Sequence, residues 1–226
     1  MAARRGLLQS ESVQNFLKSL LTLQQGSELV STSAMADILQ ISAPSVSDMT
    51  QRLEEAGLVT WRKWRGIRLT PAGENEALMI LRRHRLIELF LVEELGYELP
   101  EVHAEAERLE HAVSERFIEA IASRLHEPGL DPHGDPIPAP DGTILRRRLQ
   151  PLSEWPPDRP AVVSRIRSRS EDMLRVIVSQ GITLNARVEI MGVAAAGGPL
   201  ALRINGRKQH IARAAADCIL VEAWRP

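Results

Sequence analysis

Histidines and carboxylates with the chemistry of metal ligands gather in one stretch of this 226-residue chain, between residues 84 and 111, which holds three of the six histidines. They fall in two motifs, HRLIE and HAEAERLEH. The candidate ligands are His84, Glu88, His103, Glu107, Glu110 and His111. On a helix, these spacings place the ligands of each motif on one face. Without a cation the glutamates would crowd negative charge there, and a bound divalent ion would offset the repulsion.

All of these candidate ligands offer nitrogen or oxygen, and none offers sulfur. Such a set favours a fairly hard divalent ion, Mn²⁺ or Fe²⁺, over copper(I) or a thiolate zinc site. The alternative is solvated helix faces with ordinary His and Glu residues, and the HRLIE pair alone would favour that interpretation. Two clusters joined by ELGYELPEV, a connector that lets helices fold back on each other, favour a metal centre.

Two helices must position these ligands. Residues 71–96 predict one long helix that opens at Pro71, and a second helix is predicted from about 101 to 124, carrying all the ligands of the second motif. The long helix is apolar on more than one side, so it needs several packing partners. Together the helices predict a two-fold homodimer.

The preceding residues predict a winged helix-turn-helix. An amphipathic helix over 12–23 is followed by STSAMADILQISAPSVSDMTQRLEEAGL, a pattern typical of two helices separated by a tight turn. Serines are the expected caps of both helices, and Gly57 ends the second. The next segment, LVTWRKWRGIRLT, predicts two short strands around residues 63–66, which would form the wing.

The second of these helices and the wing carry the residues that we expect to face double-stranded DNA. A recognition helix presents its first turns to base edges, and wing cations bind phosphate oxygens. The predicted DNA-binding residues are Ser42, Pro44, Ser45, Ser47, Asp48, Arg62, Lys63 and Arg65. Asp48 would accept a hydrogen bond from cytosine or only support helix capping. Basic residues can also serve only to protect edge strands from pairing. The wing is therefore interpreted as a DNA-binding element because a helix-turn-helix pattern precedes it.

The motifs RRHRLIELFL and VHAEAERLEH resemble those of the metal-dependent repressors of the diphtheria toxin repressor and manganese transport regulator family (DtxR/MntR). The resemblance covers nearly the whole chain and implies a winged helix domain, a helical dimerisation domain and an SH3-like domain. It implies two metal sites, one at His84, Glu88 and His103 and one at Glu107, Glu110 and His111. Iron-sensing members carry cysteine and manganese-sensing members glutamate at the position of Glu107. The resemblance therefore favours Mn²⁺ as the cofactor, with Fe²⁺ as the alternative.

The resemblance also implies a ligand from the first helix, where family members carry Met or Asp and this chain has Asn15. An amide oxygen binds a hard ion more weakly than a carboxylate. The alternatives are that Glu11 substitutes for it or that Asn15 has no metal role. Lys18 stands where two-domain manganese regulators have another carboxylate, which argues against their closely coupled pair of ions.

Two further ligands are implied in the second half of the chain. Asp131, in DPHGDPIP, stands where some manganese-type members place a metal-binding cysteine, and an ordinary turn aspartate is the alternative. The SH3-like domain of the family can supply an acidic ligand just before a short helix. Glu171 and Asp172 are the nearby choices, of which Glu171 is taken, although the family position aligns better with Ser170.

Beyond residue 125 the composition changes. Residues 126–160 hold nine of the fourteen prolines, which predicts a semi-rigid connector without a folded element. From residue 161 the runs AVVSRIR, ARVEIMGV, LALRI and CILVEAW predict strands, with a hairpin at Asn205–Gly206, another turn at AAAGGP and a short helix in EDMLRVIVSQGI. A small five-stranded barrel of the SH3-like (FeoA-like) type is expected.

The predicted fold is therefore mainly α with a C-terminal small β-barrel. We expect a winged helix-turn-helix DNA-binding domain over 1–72 and a helical metal-binding and dimerisation domain over 73–126. A proline-rich linker over 127–160 and an SH3-like domain over 161–226 complete the predicted organisation.

Charge, cysteine content and hydropathy restrict the classes of protein to which the chain can belong. The net charge of −1 does not by itself indicate nucleic-acid binding, so DNA contacts must come from the local positive charge of the wing. The single cysteine, Cys218, excludes an intramolecular disulfide and is expected as a buried apolar residue. Because no apolar run approaches membrane-spanning length and no signal peptide is indicated, a cytoplasmic protein without membrane contact is expected.

These observations predict a repressor of metal-homeostasis genes, not an enzyme, in which Mn²⁺ acts as corepressor by favouring the DNA-competent state. An Fe²⁺-responsive repressor is the alternative. A dinuclear metal hydrolase would need a substrate cleft and a general base, for which no motif is present. A winged-helix regulator with a merely structural metal is the remaining possibility, and DNA binding measured with and without metal separates it from a sensor.

Overall fold

The computed structural model describes residues 6–24, 28–157, 159–168, 170–193 and 198–225. The chain divides into two compact units. The first comprises Met1–His84, Leu109–Glu115 and Pro138–Ile144, and the second comprises Arg85–Arg108, Arg116–Ile137 and Leu145–Pro226. Within the described residues, no helix combines the length and the apolar character needed to cross a lipid bilayer.

The first unit contains the predicted winged helix-turn-helix. Its elements are α1 (Glu11–Leu23), α2 (Thr32–Leu39), α3 (Ala43–Glu55), β1 (Val59–Arg62), β2 (Gly66–Leu69) and the first half of α4 (Pro71–Leu95). Ser31 and Ser42 cap α2 and α3 by accepting hydrogen bonds from the backbone N–H groups of Ala34 and Ser45. The caps and the antiparallel wing β1–β2 agree with the prediction.

Apolar side chains from all of these elements form the core of the first unit. Phe16 of α1, Met35 of α2, Val46 and Leu53 of α3 and Ile67 of β2 are completely buried. Burying such a side chain stabilises the fold by about 1.5–3 kcal/mol. The core therefore fixes the orientation of the recognition helix α3 relative to the wing.

The start of α4 is held against the turn that follows α3. Thr70 Oγ1 donates to the carbonyl of Gly57 at 2.8 Å, and it accepts from the backbone N–H of Gly73 at 3.1 Å. Gly73 lies so close to Leu58 that a Cβ atom there would be 1.9 Å from the Leu58 carbonyl oxygen. Within the first unit, the helix that carries His84 is thus fixed to the C-terminal end of the recognition helix.

The helix predicted over about 101–124 is in fact two helices, α5 (Val102–Leu109) and α6 (Glu115–Arg124). The backbone N–H groups of Ala112 and Val113 both donate to the carbonyl of Leu109, which ends α5 in a turn. Glu110 and His111 therefore follow the helix, and they do not lie on its face as predicted. The cause is tertiary: Glu110 is completely buried and bonded to residues distant in sequence.

The second unit contains a six-stranded antiparallel sheet in the order β3–β8–β4–β5–β6–β7. Its strands are β3 (Gln150–Pro151), β4 (Ala161–Ile166), β5 (Arg187–Val193), β6 (Leu200–Ile204), β7 (Arg207–Ile211) and β8 (Ile219–Ala223). The helices α7 (Glu171–Ser179) and α8 (Arg213–Cys218) lie between strands in the chain. The sheet has the expected SH3-like character, but pairing among the described strands does not close it into the expected barrel, and it has six strands where five were expected.

Local turn signals in this sheet were predicted well. Asn205 and Gly206 both have positive φ angles, 44° and 86°, and they connect β6 to β7 as expected for an Asn-Gly hairpin. The predicted AAAGGP turn falls mostly on residues 194–197, outside the described residues. α8 was not predicted. Cys218, which ends α8, packs against the core and is partly buried, where a buried apolar residue was expected.

The prediction that residues 127–160 form only a connector needs correction, because the structure shows folded parts within this proline-rich segment. Gln150 and Pro151 pair with β8, and Leu152 and Trp155 belong to the core of the sheet. Earlier in the segment, residues 130–137 form a compact loop in which the carbonyl of His133 accepts from the N–H of Ile166 in β4. Proline content alone predicts a connector, whereas burial against the sheet makes these residues part of the second unit.

Candidate metal centre and DNA interface

A buried cluster of charged and polar side chains lies in the first unit. Lys18 Nζ of α1 is 2.5 Å from Oε1 of Glu110, and Nδ1 of His84 is 2.6 Å from Oε2 of the same carboxylate. Glu110 has no exposed side-chain surface. Both oxygens of this carboxylate therefore have a partner from elsewhere in the chain, one from α1 and one from α4.

His111 extends this cluster towards α1. Its Nδ1 is 2.7 Å from Oε1 of Gln14, and its Nε2 is 3.1 Å from Oδ1 of Asn15 and 3.3 Å from Oε1 of Glu110. The structure thus brings Asn15, Glu110 and His111 together, whereas Glu107, which the resemblance assigned to the same site, lies beside His103. The first three residues offer carboxylate, imidazole and amide-oxygen donors in one place.

The electrostatics of the first cluster centre on Glu110. Burial by itself would raise the pKa of Glu110, but the hydrogen bond from His84 and the charges of His84 and Lys18 hold that pKa below its ordinary value. The folded chain therefore favours the ionised form of Glu110. An ionised carboxylate is the form that can accept from Lys18 or bind a cation.

A second cluster lies in the second unit, around Glu88 of α4. The Glu88 side chain is 3% exposed, and its Oε1 is 3.1 Å from Nδ1 of His103 in α5. His103 Nε2 is also 3.7 Å from Oε1 of Glu107. Nε2 of His133 approaches the same Oε1 of Glu88 to 3.9 Å. Three predicted ligands, Glu88, His103 and Glu107, are therefore neighbours, and His133 joins them.

Asp131 lies in the same unit and is almost completely buried. Its Oδ1 accepts from the backbone N–H groups of His133 and Asp135, each at 2.9 Å, and its Oδ2 is 3.4 Å from Nε of Arg85. Burial, together with the negative charges of Asp135 and Glu88, raises the pKa of Asp131 to about 8, against the opposing effect of Arg85. The mutual repulsion of Asp131 and Glu88 marks this cluster as a place where a cation would be stabilised.

The donor chemistry of both clusters fits a divalent ion. Each supplies imidazole nitrogens and carboxylate oxygens, and a hard ion of the Mn²⁺ or Fe²⁺ kind takes such a set. In the second unit, Glu88 and Asp131 are both buried, and Arg85 supplies one positive charge beside Asp131, so a cation near Glu88 would offset the remaining negative charge. In the first unit, Lys18 already supplies one positive charge.

Glu171, the predicted ligand from the C-terminal domain, is exposed at the start of α7. Its Oε1 accepts from Nη2 of Arg175 at 2.6 Å. Ser170, the position that the resemblance favours, caps α7 by accepting from the backbone N–H of Met173. The structure gives each of these residues a local helical partner, and a ligand role for Glu171 stays a prediction.

The predicted DNA-binding residues are exposed or partly exposed on the first unit. Ser42, Pro44, Ser45 and Asp48 are exposed at the start of α3, and Ser47 is half-buried. Some of these hydroxyls are engaged locally: Ser42 Oγ and Ser45 Oγ lie 2.8 Å apart, and Ser47 Oγ donates to the carbonyl of Ala43 at 3.1 Å. A hydroxyl can accept another donor or rotate towards a phosphate, so these contacts leave DNA binding open.

The wing completes this surface. Arg62, Lys63 and Arg65 are exposed at its tip, and the ring of Trp64 between them is fully exposed. A groove of about 540 Å³ is lined by wing residues, among them Lys63 and Arg65, and by hydroxyl residues of the helices. The hydroxyl residues are Ser31, Thr32, Ser33 and Ser47. A groove that combines cations, hydroxyls and the N-terminus of α2 suits a phosphate backbone.

Comparison with known protein families matches three successive parts of the chain. Residues 9–67 match the N-terminal DNA binding domain of the iron dependent repressors, and residues 70–139 match their metal binding and dimerisation domain. Residues 150–223 match the FeoA domain. The fold and the chemistry of its side chains thus define a metal-dependent regulator of transcription.

Individual relatives agree with this class. The iron-dependent repressor IdeR of Mycobacterium leprae (strain TN) is 31% identical over 193 residues, covering 80% of this chain and 84% of the relative. The solved structure of a manganese-dependent transcriptional repressor in complex with manganese is 38% identical, with a TM-score of 0.86, and covers 94% of this chain and all of that one. ScaR with bound Zn²⁺ is 30% identical, with a TM-score of 0.76, at 94% and 99% coverage.

The chain belongs to the iron-dependent repressor family of the diphtheria toxin repressor type and has its three-domain organisation. It is a metal-dependent transcriptional repressor of that family, whose members are DNA-binding repressors. The resemblance drawn from the two histidine motifs is confirmed, as is the winged helix-turn-helix.

Sequence reasoning missed several residues that the structure places at the two clusters. Gln14 faces His111, and Arg85 and His133 flank the buried carboxylates of the second unit. His133 lies in the motif DPHGDPIP, two residues after the predicted ligand Asp131. This short spacing from a candidate acidic ligand could have marked His133 as a ligand. It was not considered because the segment was expected to be a connector without a folded element.

Proposed function

We propose that this chain is a Mn²⁺-responsive repressor that binds a palindromic operator as a homodimer. The observation that carries the proposal is the buried carboxyl groups of Glu88 and Asp131, with the half-buried His103 beside Glu88, in a chain whose first unit is a winged helix-turn-helix with a basic wing. A buried acidic group of this kind is stabilised by a cation, and the wing supplies a surface for DNA.

The proposed metal ligands are the predicted set, with His133 added because of its approach to Glu88. The set comprises Asn15, His84, Glu88, His103, Glu107, Glu110, His111, Asp131, His133 and Glu171. His84 and Glu88 lie four positions apart on α4, which is the helical spacing from which both were predicted as ligands. The ion would add positive charge to that which Lys18 and Arg85 already supply beside the buried carboxylates.

Mn²⁺ is proposed over Fe²⁺ on two grounds. The ligand set lacks sulfur, and Glu107 supplies a carboxylate where the resemblance gives iron sensors a cysteine. The solved relative that is 38% identical is described as manganese-dependent. An Fe²⁺-responsive repressor is the second candidate, because the curated relative IdeR is described as iron-dependent.

In the proposed mechanism, the ligand residues would hold an ion that favours the conformation competent to bind DNA. The residues of α1 and α4 hold ligand atoms in the unit that also carries α3 and the wing, so occupation of these atoms bears directly on the DNA-binding unit. α3 would enter the major groove with Ser42, Pro44, Ser45, Ser47 and Asp48, and Arg62, Lys63 and Arg65 would bind phosphates. Metal would act through its differential affinity for the DNA-competent state.

The test is selection of double-stranded DNA from a randomised library in Mn²⁺, followed by fluorescence anisotropy with the selected sequence. We expect a palindromic sequence, and we expect chelation to weaken binding by at least about tenfold, a typical allosteric coupling. His103→Ala and His133→Ala should lose this response, whereas His210→Ala, an exposed histidine on β7, should keep it. Equal affinity with and without Mn²⁺ would leave the metal a structural role only.

The same assay separates the two metals. Under anaerobic conditions, Mn²⁺ and Fe²⁺ are titrated in parallel into protein and DNA. A response to Fe²⁺ at clearly lower free concentrations than to Mn²⁺ would establish the iron-responsive alternative. Glu171→Gln tests the C-terminal ligand: an unchanged Mn²⁺ response removes Glu171 from the ligand set.

A further inference from the structure

A cation belonging to the protein itself already lies inside the ligand cluster of the first unit. Lys18 Nζ is 2.5 Å from Oε1 of Glu110, and the two side chains are 10% and 0% exposed. The residues are 92 positions apart in the chain, so the contact is made only by folding. The remaining oxygen of Glu110 is bonded to His84.

We propose that the Lys18 ammonium is an internal counter-cation, which a divalent ion must displace from Glu110 before Glu110 can serve as a metal ligand. Lys18 thereby raises the metal concentration at which the cluster of the first unit fills. This inference rests on the proposed function, because it concerns the same candidate ligands.

Charge is the first reason that the ammonium and a metal ion exclude each other. Both would lie at contact distance from one carboxylate oxygen, so they would be close neighbours. Repulsion between like charges is strong where water is scarce, because the effective dielectric constant of a buried site is far below that of water. An ammonium also has only donors and cannot itself bind the ion.

The second reason is that the cluster is complete without metal. Each oxygen of Glu110 has a partner, and each ring nitrogen of His111 faces an oxygen of Gln14, Asn15 or Glu110. Without Lys18, the buried Glu110 carboxylate would keep only His84 as its partner from α4 and lose the ammonium charge, which is unfavourable. The metal-free state is therefore stabilised by the same contact that opposes the metal.

Lys18 also ties this competition to a particular element. It lies on α1, in the unit that contains the recognition helix, and Glu110 lies in the turn after α5. Displacing Lys18 changes the contact between α1 and this turn, so filling of the cluster is linked to a structural change within the DNA-binding unit. Lys18 thus sets the metal concentration at which the cluster fills, whereas the other ligands determine which metal binds.

The experiment compares wild type with Lys18→Met in the full chain, which removes the charge and keeps a long apolar side chain. Mn²⁺ is titrated by calorimetry, and bound Mn²⁺ per chain is counted after desalting. We expect Lys18→Met to bind the ion of the first unit at least about tenfold more tightly, a modest part of the repulsion expected between close charges. Lys18→Arg, which keeps the charge, should behave as wild type, and so should Lys208→Met, which removes an exposed lysine of β7.

A second measurement guards against a merely structural role. Metal-free Lys18→Met should unfold at a lower urea concentration than wild type, because Glu110 loses its partner, and Lys18→Met/Glu110→Gln should recover part of this loss. Lower metal-free stability with unchanged Mn²⁺ affinity and stoichiometry would overturn the proposal and leave Lys18 a structural residue. Failure of the proposed function appears elsewhere, as wild-type DNA binding that ignores Mn²⁺.

Discussion

Glu110 combines two properties that are rarely found together, complete burial and a lowered pKa. Burial penalises the charged form of a carboxylate, so the partners must more than compensate. They are His84 and Lys18, each bonded to a different oxygen. The charge of this single residue therefore depends on contacts with two helices of the first unit, and its removal should be felt in stability as well as in metal binding.

The lowered pKa predicts the pH dependence of metal-free stability. A carboxyl whose folded pKa lies below its unfolded value stabilises the fold above that unfolded value, near 4.5, and the contribution is lost as the pH falls through the folded pKa. We therefore expect Glu110→Gln to lower the free energy of unfolding by on the order of 3 kcal/mol at neutral pH. The difference from wild type should shrink below pH 4.5.

Urea denaturation in a chelator, repeated between neutral and acid pH, measures this difference. Glu115→Gln is the matched control, because Glu115 forms an ion pair with Arg83 but is 72% exposed, and exposed pairs contribute little. A Glu110→Gln difference that stays constant down to strongly acid pH would contradict the assignment of the charged form to the folded chain.

At the scale of the elements, the wing is distinguished by the exposed side chains at its tip. Trp64 has a positive φ angle of 67° and is fully exposed between Lys63 and Arg65. Lys63 Nζ lies 6.0 Å above the ring of Trp61, a cation–π contact that orients the lysine at the groove. A tip of this composition has no packing role in the first unit and is suited to the DNA backbone.

Lys63→Met should weaken DNA binding with little dependence on DNA sequence, because phosphates carry no sequence information. Removal of one phosphate-binding charge reduces the slope of log affinity against log salt by about 0.9. Fluorescence anisotropy at several salt concentrations gives this slope. Arg225→Met, in the second unit, serves as the control. A salt slope for Lys63→Met equal to that of wild type would show that Lys63 does not contact the DNA.

The close packing of α4 against the turn after α3 is a second feature at the scale of the elements. Gly73→Ala would place a methyl group against the Leu58 carbonyl oxygen, a contact at 1.9 Å that backbone atoms cannot relieve cheaply. We expect a loss of about 1–3 kcal/mol in the free energy of unfolding, as for other overpacked sites. Gly129→Ala, where an added Cβ meets nothing within 4 Å, is the control in urea denaturation. Equal stability of the two variants would contradict the close approach.

At the scale of the whole molecule, α4 contributes residues to both compact units, and the candidate ligands are divided in the same way. Asn15, His84, Glu110 and His111 belong to the first unit, and Glu88, His103, Glu107, Asp131 and His133 belong to the second. An ion that binds the folded chain and not the unfolded chain stabilises the fold by mass action, whichever unit binds it. Metal should therefore raise the stability of the protein.

With Mn²⁺ at one hundred times its dissociation constant, the expected gain is about 2.7 kcal/mol. Thermal denaturation with Mn²⁺ and with a chelator measures the gain as a rise in Tm. The double variant Glu88→Gln/His103→Ala should lose most of it, whereas His210→Ala should retain it. A wild-type Tm that Mn²⁺ does not change would contradict binding at these residues.

Local patterns in the sequence were sufficient for the elements and for the chemical types of the ligands. The spacing of apolar residues in α1 and α4, the serine caps of α2 and α3, and the Asn205–Gly206 turn are decided by residues within a few positions of one another. Backbone sterics and helical periodicity act at that range, so these features could be predicted. The donor atoms of the His and Glu motifs follow from the residue types alone.

Contacts between distant residues decided the rest. The break between α5 and α6 follows from the burial of Glu110 beside Lys18, and the order of residues 130–137 follows from their packing against β4. No local pattern carries this information, because the free energy of a buried ion pair or an added strand depends on a partner tens of residues away. The sequence by itself therefore determined which residues could bind a metal and DNA, and tertiary structure decided that a lysine shares Glu110 and that His133 joins Glu88.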